Sequence, residues 1–415
     1  MKKFLITLTL ILLSISSAYA EEEIMLDKSP LVPDSSVLEE EDEDVIGPSA
    51  GSDIEEIEIP DISKPQEIVP PTFVGNLKKT KNDLFKLQID NTRVPAVLFK
   101  EQLTHKFEKG PIESVHIWTG LKFNLQENIP EKGDNDTLFK TSLVNNFIDG
   151  KFRGGKEGFR IMLDPTPQHH HSVIQNIFQD VYIDSRRIPH HRILIGHTRP
   201  SVGYEGSNSS YTLPFAARSQ IARNFGTVRK LGARAMGNYS LMDYDLGVYS
   251  SGTYFTSFFP GAEFDGFVNF KPLGKTDGKY GILKVGGGIA AGKRHSTNFA
   301  VYSTYVGYEY KKFRIKAEYA NADGSNGLSG LTNKKRQGMS VTLYYLFNPK
   351  LEAVARYDDF DPDKKIRHNN TREYSVGLNW YIKGQALKLI LNYVFCQNQG
   401  AKDSHRIILG TQIAI

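Results

Sequence analysis

Lys312-Phe313-Arg314-Ile315-Lys316-Ala317-Glu318-Tyr319-Ala320-Asn321-Ala322 decides the fold. Phe313, Ile315, Ala317 and Tyr319 fall on one side of a period of two, and Lys312, Arg314, Lys316 and Glu318 on the other. Successive side chains of a β-strand point to opposite faces, so this segment is greasy on one face and charged on the other. Lipid outside and water inside is the setting that suits such a strand.

The same alternation recurs along the chain. Tyr374, Val376, Leu378, Trp380 and Ile382 oppose Glu373, Ser375, Gly377 and Asn379, and Leu387, Leu389, Leu391, Tyr393 and Phe395 oppose Lys388 and Asn392. The terminal run sets Ile407, Leu409, Thr411, Ile413 and Ile415 against Arg406, Gly410 and Gln412. Strands are expected near 112–125, 139–148, 156–165, 177–184, 189–197, 228–239, 242–251, 262–272, 279–291, 298–310, 312–322, 335–347, 350–358, 371–383, 386–397 and 404–415. That makes sixteen, an even number as a single-chain bacterial barrel requires. The gaps alternate in length. Those at 126–138, 166–176, 198–227, 323–334 and 359–370 read as long loops, while Lys311, Asn348-Pro349 and Gly384-Gln385 read as tight turns. Short periplasmic turns alternating with longer extracellular loops put both termini in the periplasm. Aromatic pairs such as Tyr308 with Tyr310 and Tyr345 with Phe347 fall where an interfacial girdle is expected. The fold class expected is all-β: a transmembrane antiparallel β-barrel of about sixteen strands behind a disordered acidic N-terminal extension.

A mean hydropathy of −0.37 is compatible with this, because only every second residue of a barrel strand must be apolar. Lys2 and Lys3, the apolar stretch Phe4 to Leu13 and the small-x-small site Ala18-Tyr19-Ala20 read residues 1–20 as a secretory signal peptide. No later run approaches the ~18 uninterrupted apolar residues of a membrane-spanning helix. Cys396 is the one cysteine, so an internal disulfide framework is excluded. The net charge of +4 hides two opposite blocks. Residues 21–70 hold 17 acidic residues against Lys28 and Lys64, whereas from 71 onward 47 basic residues face 30 acidic ones. The acidic, Pro-rich segment 21–75 cannot bury enough apolar surface to offset its ordering entropy, so it is expected to be disordered in the periplasm. It reads as a tether, or as the binding segment for a basic periplasmic partner or for the barrel's own basic mouth. Residues 76–111 form a lead-in, and 112–415 the barrel.

The stretch 192–210, RILIGHTRPSVGYEGSNSS, then Phe215 to Phe225, FAARSQIARNF, and Leu231-Gly-Ala-Arg-Ala235 resemble the phosphate-selective porin O and P family. Pro200, Tyr204-Glu205-Gly206, Arg218 and Ser219 carry the match, and the barrel organisation extends the likeness from about 112 to 415. The resemblance implies a sixteen-stranded, homotrimeric outer-membrane porin of a diderm bacterium, whose third extracellular loop folds into the lumen. Counted independently, the gap 198–227 between the fifth and sixth strands is that loop. The family's anion selectivity, in turn, implies Lys and Arg residues facing the pore.

Parity assigns Lys122, Arg160, Arg192, Arg234, Arg314, Lys316 and Arg356 to the lumen, and Arg218 and Arg223 to the inserted loop. These are the candidate pore-lining and anion-binding residues, with Arg218, Arg223, Arg160 and Arg234 first among them. Arg suits oxyanions because its planar fork gives two parallel hydrogen bonds. Pairing with lumen acids such as Glu318, Glu352 or Asp358 is the competing role for each. The histidine clusters 169–171 and 190–191 lack convergent ligands, and no metal or cofactor is expected. Gly286-Gly287-Gly288 lacks the phosphate-loop context and marks a strand on which a neighbouring loop packs closely instead. No catalytic constellation stands out, and export argues against nucleic acid as the partner of the basic block. The expected partners are outer-membrane lipid and small phosphate-like anions. Two functions remain in view: a passive anion porin, and a weakly conducting barrel that tethers the envelope through its acidic segment.

Overall fold

The computed structural model describes residues 97–415 apart from 166–176, 253–258 and 277. The signal-peptide reading, the acidic segment 21–75, most of the lead-in and the histidines at 169–171 lie outside the described residues. A short strand, β1 (Thr104–Lys106), precedes sixteen long ones. The first eight are β2 (Ile112–Pro130), β3 (Asp136–Phe152), β4 (Glu157–Leu163), β5 (Phe178–Ser185), β6 (His191–Thr198), β7 (Lys230–Asn238), β8 (Met242–Ser250) and β9 (Ala262–Phe270). The second eight are β10 (Ile282–Arg294), β11 (Thr297–Tyr310), β12 (Phe313–Gly327), β13 (Gly330–Asn348), β14 (Leu351–Asp361), β15 (Thr371–Lys383), β16 (Leu387–Asn398) and β17 (Ser404–Ala414).

From β2 to β17 each strand pairs antiparallel with the next. The ring closes between β17 and β2, from Ser404↔Pro130 to Ala414↔Gly120. The fold is therefore a closed sixteen-stranded antiparallel β-barrel. Its alternation is visible in exposure: Val376 and Trp380 are 53% and 52% exposed, while Ser375 and Asn379 between them are buried. Phe313 and Tyr319 face outward in the same way, and Glu318, Ala320 and Ala322 inward. Tyr310, Phe313, Tyr345 and Phe347 gather outside the turns 311–312 and 349–350, at the rim that carries both chain ends.

The described lead-in completes that rim. β1 pairs with β2 at Thr104↔His116, below the level where β17 ends. Leu98 N donates to Ala414 O at 2.9 Å, and Val97 and Leu98 pack against the inward cluster of Trp118, Phe147, Met162, Tyr211, Ala386 and Ala414.

Several gaps differ from the sequence reading. The segment read as a loop at 323–334 is a hairpin, with β12 and β13 pairing as far as Gly327↔Gly330. β2 likewise runs to Pro130 through polar Gln126, Glu127 and Asn128. Strands that leave a membrane keep their hydrogen bonds but lose the need for an apolar face, so their alternation fades while their pairing continues. On the rim of the termini, β9 ends at Phe270 and β10 begins at Ile282, so that connection is longer than the gap between the expected strands 262–272 and 279–291. Gly288 is crowded by the Phe267 side chain of the neighbouring strand, not by a loop: a Cβ there would stand 2.6 Å from the ring.

An outward charge tests the orientation of the wall. Leu378→Arg, near the middle of β15, is expected to cost about 2–4 kcal/mol, measured as a lower urea midpoint for the barrel in liposomes.

Candidate functional site

The lumen is built by the inward positions of the sixteen strands and by the connection 199–229, which runs from β6 to β7 through the interior. Val202 packs with Ala290, Val301, Ala320 and Ala322 on the β10–β12 wall. The Tyr204 ring stacks on Tyr305 at 3.6 Å, and its backbone N–H donates to Glu318 Oε1 at 2.7 Å. Burial, and behind it the Glu309 carboxylate, push the Tyr204 phenol well above its ordinary range. The chain then reaches the seam of the barrel. Tyr211 Oη donates to Asn145 Oδ1, Lys122 Nζ to Ser210 O and Gln412 Nε2 to Tyr211 O, each at 2.9 Å.

On the β14–β16 wall, Lys388 Nζ donates to Leu213 O and Asn392 Oδ1 accepts from Ala216 N, both at 2.9 Å. Arg356 donates to the carbonyls of Ala217 and Arg218 at 3.1 and 3.2 Å. A one-turn helix, α1 (Gln220–Phe225), follows, capped by Ser219 Oγ accepting from Ala222 N. The β12–β13 hairpin folds over it: Leu328 N donates to Gly226 O, and Ser329 Oγ to Asn224 O. Gly327 is required there, since a Cβ would stand 2.4 Å from Asn224 O. Most of these bonds join a charged or amide side chain to a loop carbonyl or N–H that would otherwise be orphaned in the interior.

The candidate cations are all on inward or loop positions, and most meet carboxylates. Arg160 forms a two-pronged pair with its cross-strand partner Asp149, at 2.6 and 2.8 Å. Arg192 reaches Asp184 diagonally at 2.8 Å, and Arg234 holds Asp245 through Nε at 2.6 Å. Arg314 spans a strand to Glu352 at 2.7 Å, with its guanidinium carbon 3.9 Å from the Tyr344 ring centre. Arg223 and Arg406 share Glu373, at 2.5 and 2.8 Å. Arg356 lies 2.6 Å from Asp358, its neighbour on the same face of β14, without the alignment of a hydrogen bond. Arg218 donates to the carbonyls of Glu205 and Asn208 and to Ser210 Oγ.

Three lumen cations differ. Among the described residues, Lys316, Arg336 and Lys388 have no carboxylate within ion-pair distance. Half-buried Lys316 sits 5.2 and 5.0 Å from the centres of the Tyr204 and Tyr344 rings. Arg336 is held by Ser325, Ser329 and Asn224 and lies over Phe360. The sequence reading missed Arg336 and Lys388 as candidates. Parity could have found Lys388, which it set on the polar face of its strand, whereas Arg336 lay at the start of a strand where alternation is weak.

His190 and His191 stay at the rim of the termini, packed on Tyr239, with His191 Nε2 3.1 Å from Tyr239 Oη. Among the described residues no cluster of three or more His, Cys, Asp or Glu side chains could hold a metal ion. The shared carboxylate offers a test of how the loop is held. Glu373→Gln keeps the shape but leaves two guanidinium groups without their counter-charge. It is expected to lower unfolding stability by about 3 kcal/mol, read as a shift of the denaturant midpoint.

Solved structures share this architecture. An OmpT loop-L8 deletion mutant of Vibrio cholerae matches with a TM-score of 0.54 at 9% identity, covering 72% of this chain and 99% of its own. An anion-selective porin from Comamonas acidovorans matches at 0.51 and 13% identity, with the same coverage. The trimer form of Vibrio cholerae OmpT matches at 0.50 and 9% identity, again covering 72% and 99%. At these identities the likeness is one of fold. No curated protein matches the sequence. In the sequence, residues 283–413, from β10 to the end of β17, match the model for phosphate-selective porin O and P. Barrel and match together point to a bacterial outer membrane, and residues 283–413 are similar to the phosphate-selective porin O and P family.

Proposed function

We propose that the chain is a passive outer-membrane porin for small anions, phosphate or other oxyanions among them. In this reading the third extracellular loop, 199–229, narrows the lumen, and residues 1–20 direct export. The observation that carries it is the positive charge left over after pairing: Lys316 and Arg336 face the loop and, among the described residues, have no carboxylate within ion-pair distance. A pore needs a constriction, a field and binding weak enough to release the ion. Cations in a cleft with low-dielectric walls focus the field and concentrate anions. The paired arginines hold the loop and wall in place, and the permeating ion meets the residual charge. The neighbour described as an anion-selective porin and the one described as a trimer are consistent with anion preference and a homotrimer. Such a channel carries out no covalent chemistry and needs no cofactor.

One observation favours a second reading. Arg160, Arg192, Arg234, Arg314 and Arg223 are all neutralised locally, and the loop touches three sectors of the wall. A lumen so occupied suits a weakly conducting barrel whose acidic segment, 21–75, holds a periplasmic partner.

The reversal potential of the refolded protein in a planar bilayer under a KCl gradient separates the two. An anion-selective reversal, with phosphate reducing the chloride current, is expected for the porin. Lys316→Gln should then cut the chloride-over-potassium permeability ratio about fivefold, the equivalent of the ~1 kcal/mol that two unit charges exchange at 4 Å in water. Cation selectivity would refute the basic-lumen argument, and a folded but silent barrel would leave the tether.

A further inference from the structure

The lumen and its loop account for the inward face. On the outward face, at the rim that carries both termini, a groove of about 580 Å³ is lined by Pro111, Phe152, Arg153, Glu157, Ile183 and Arg187. The lead-in forms one of its walls, and Arg153 fastens that wall by donating to Gly110 O at 2.8 Å and Phe107 O at 3.1 Å. Arg187, 73% exposed, touches Glu157 through its Nε, and among the described residues no hydrogen bond engages its two terminal nitrogens. Glu157 is the one acid of the lining. Beyond it, Lys156 is exposed on the adjoining turn, where its carbonyl accepts from Arg186 N.

The groove opens onto apolar wall. Ile183 is 57% exposed and pairs across the sheet with Ile195, 65% exposed, with Ile193 beside them. Tyr182 and Asp184, the neighbours of Ile183 on its strand, are buried inward, which fixes Ile183 on the outer surface. Two guanidinium groups thus stand at the water boundary directly below a strip of exposed isoleucine. A soluble anion would use only the first half of that arrangement. A lipid with an anionic phosphate and an acyl chain uses both.

We propose that this groove seats one anionic phospholipid of the leaflet at the rim of the termini. Its phosphate bridges Arg153 and Arg187, and an acyl chain lies along Ile183 and Ile195. The proposal rests on the outer-membrane reading above, under which that rim meets the periplasmic leaflet. Arg187 exchanges part of its contact with Glu157 for the phosphate, and Arg153 ties the lipid to the lead-in.

Native mass spectrometry of the refolded full chain, released from micelles containing equal phosphatidylglycerol and phosphatidylethanolamine, tests it. One retained phosphatidylglycerol per chain is expected. Arg187→Gln should weaken the preference about fivefold and Arg153→Gln with Arg187→Gln roughly 25-fold, at the strength of a basic residue near an anionic surface. Glu157→Gln, which removes the competing carboxylate, should strengthen it. Among the described residues the Arg187 side chain makes no hydrogen bond or ion pair but that with Glu157, so Arg187→Gln reports on the lipid even if the double variant fails to fold, and heat-shifted gel mobility identifies the folded barrels. Equal retention of both lipids, or an unchanged preference in folded Arg187→Gln, would overturn the proposal. So would displacement of the lipid by inorganic phosphate, marking a soluble-anion site, or by a peptide of residues 38–45, marking the chain's own acidic segment as the occupant. A barrel that inserts into no bilayer would instead sink the outer-membrane reading.

Discussion

The ladder between β17 and β2 is the constraint on which everything else depends. Inside a bilayer no water is available to satisfy a backbone N–H or C=O, so a sheet can cross only if it has no edge. The pairing from Ser404↔Pro130 to Ala414↔Gly120 removes the last edge. Once the ring is closed, each residue's side is fixed by parity, and a single-residue slip would turn every lumen charge toward lipid. The chain end is tied into the same seam: Ile415 N donates to Thr119 O and Thr119 N to Ile415 O. β1 then takes up the stretch of β2 that β17 does not reach.

The same rule governs the loop that enters the lumen. A connection of that length brings polar backbone into a space that strands have not been arranged to serve, so its groups need partners from side chains. The wall supplies them from four strands, with Lys122, Arg356, Lys388, Asn392 and Gln412 each meeting a loop carbonyl or N–H. Wherever one of those partners is a cation, the lumen holds charge that must be balanced. Asp358 beside Arg356, and Glu373 between Arg223 and Arg406, provide part of that balance. The positive excess of the barrel sequence is thus first a means of holding a loop.

This division explains what could be read from the sequence. All sixteen strands were legible because lipid imposes a period of two that composition cannot hide. The boundaries failed where lipid stops imposing it: Asp323 to Lys335 has the polar character of a loop and the hydrogen bonds of a hairpin. Parity was also enough to set Arg160 and Arg234 on the lumen side. Their partners were beyond it, because Asp149 meets Arg160 directly across a pair while Asp245 meets Arg234 on a diagonal, and only the register distinguishes the two. Arg218 shows the same limit on the loop, where its guanidinium turns back to Glu205 and Asn208. The local fold of the loop sets that direction, and spacing does not encode it.

Pairing also decides how a basic lumen can act on an ion. A guanidinium bound to a carboxylate presents a dipole, whose field falls away faster than that of a lone charge. Arg160 with Asp149, or Arg192 with Asp184, therefore shapes the wall near it and does little at the pore axis. An unpaired cation behind low-dielectric walls keeps its full charge over a longer reach. Arg336 holds that charge where water barely touches it, and Lys316 holds it on two aromatic faces where water still does. In the anion porin we propose, selectivity rests on these few positions, while the larger set of arginines keeps the loop and wall in place.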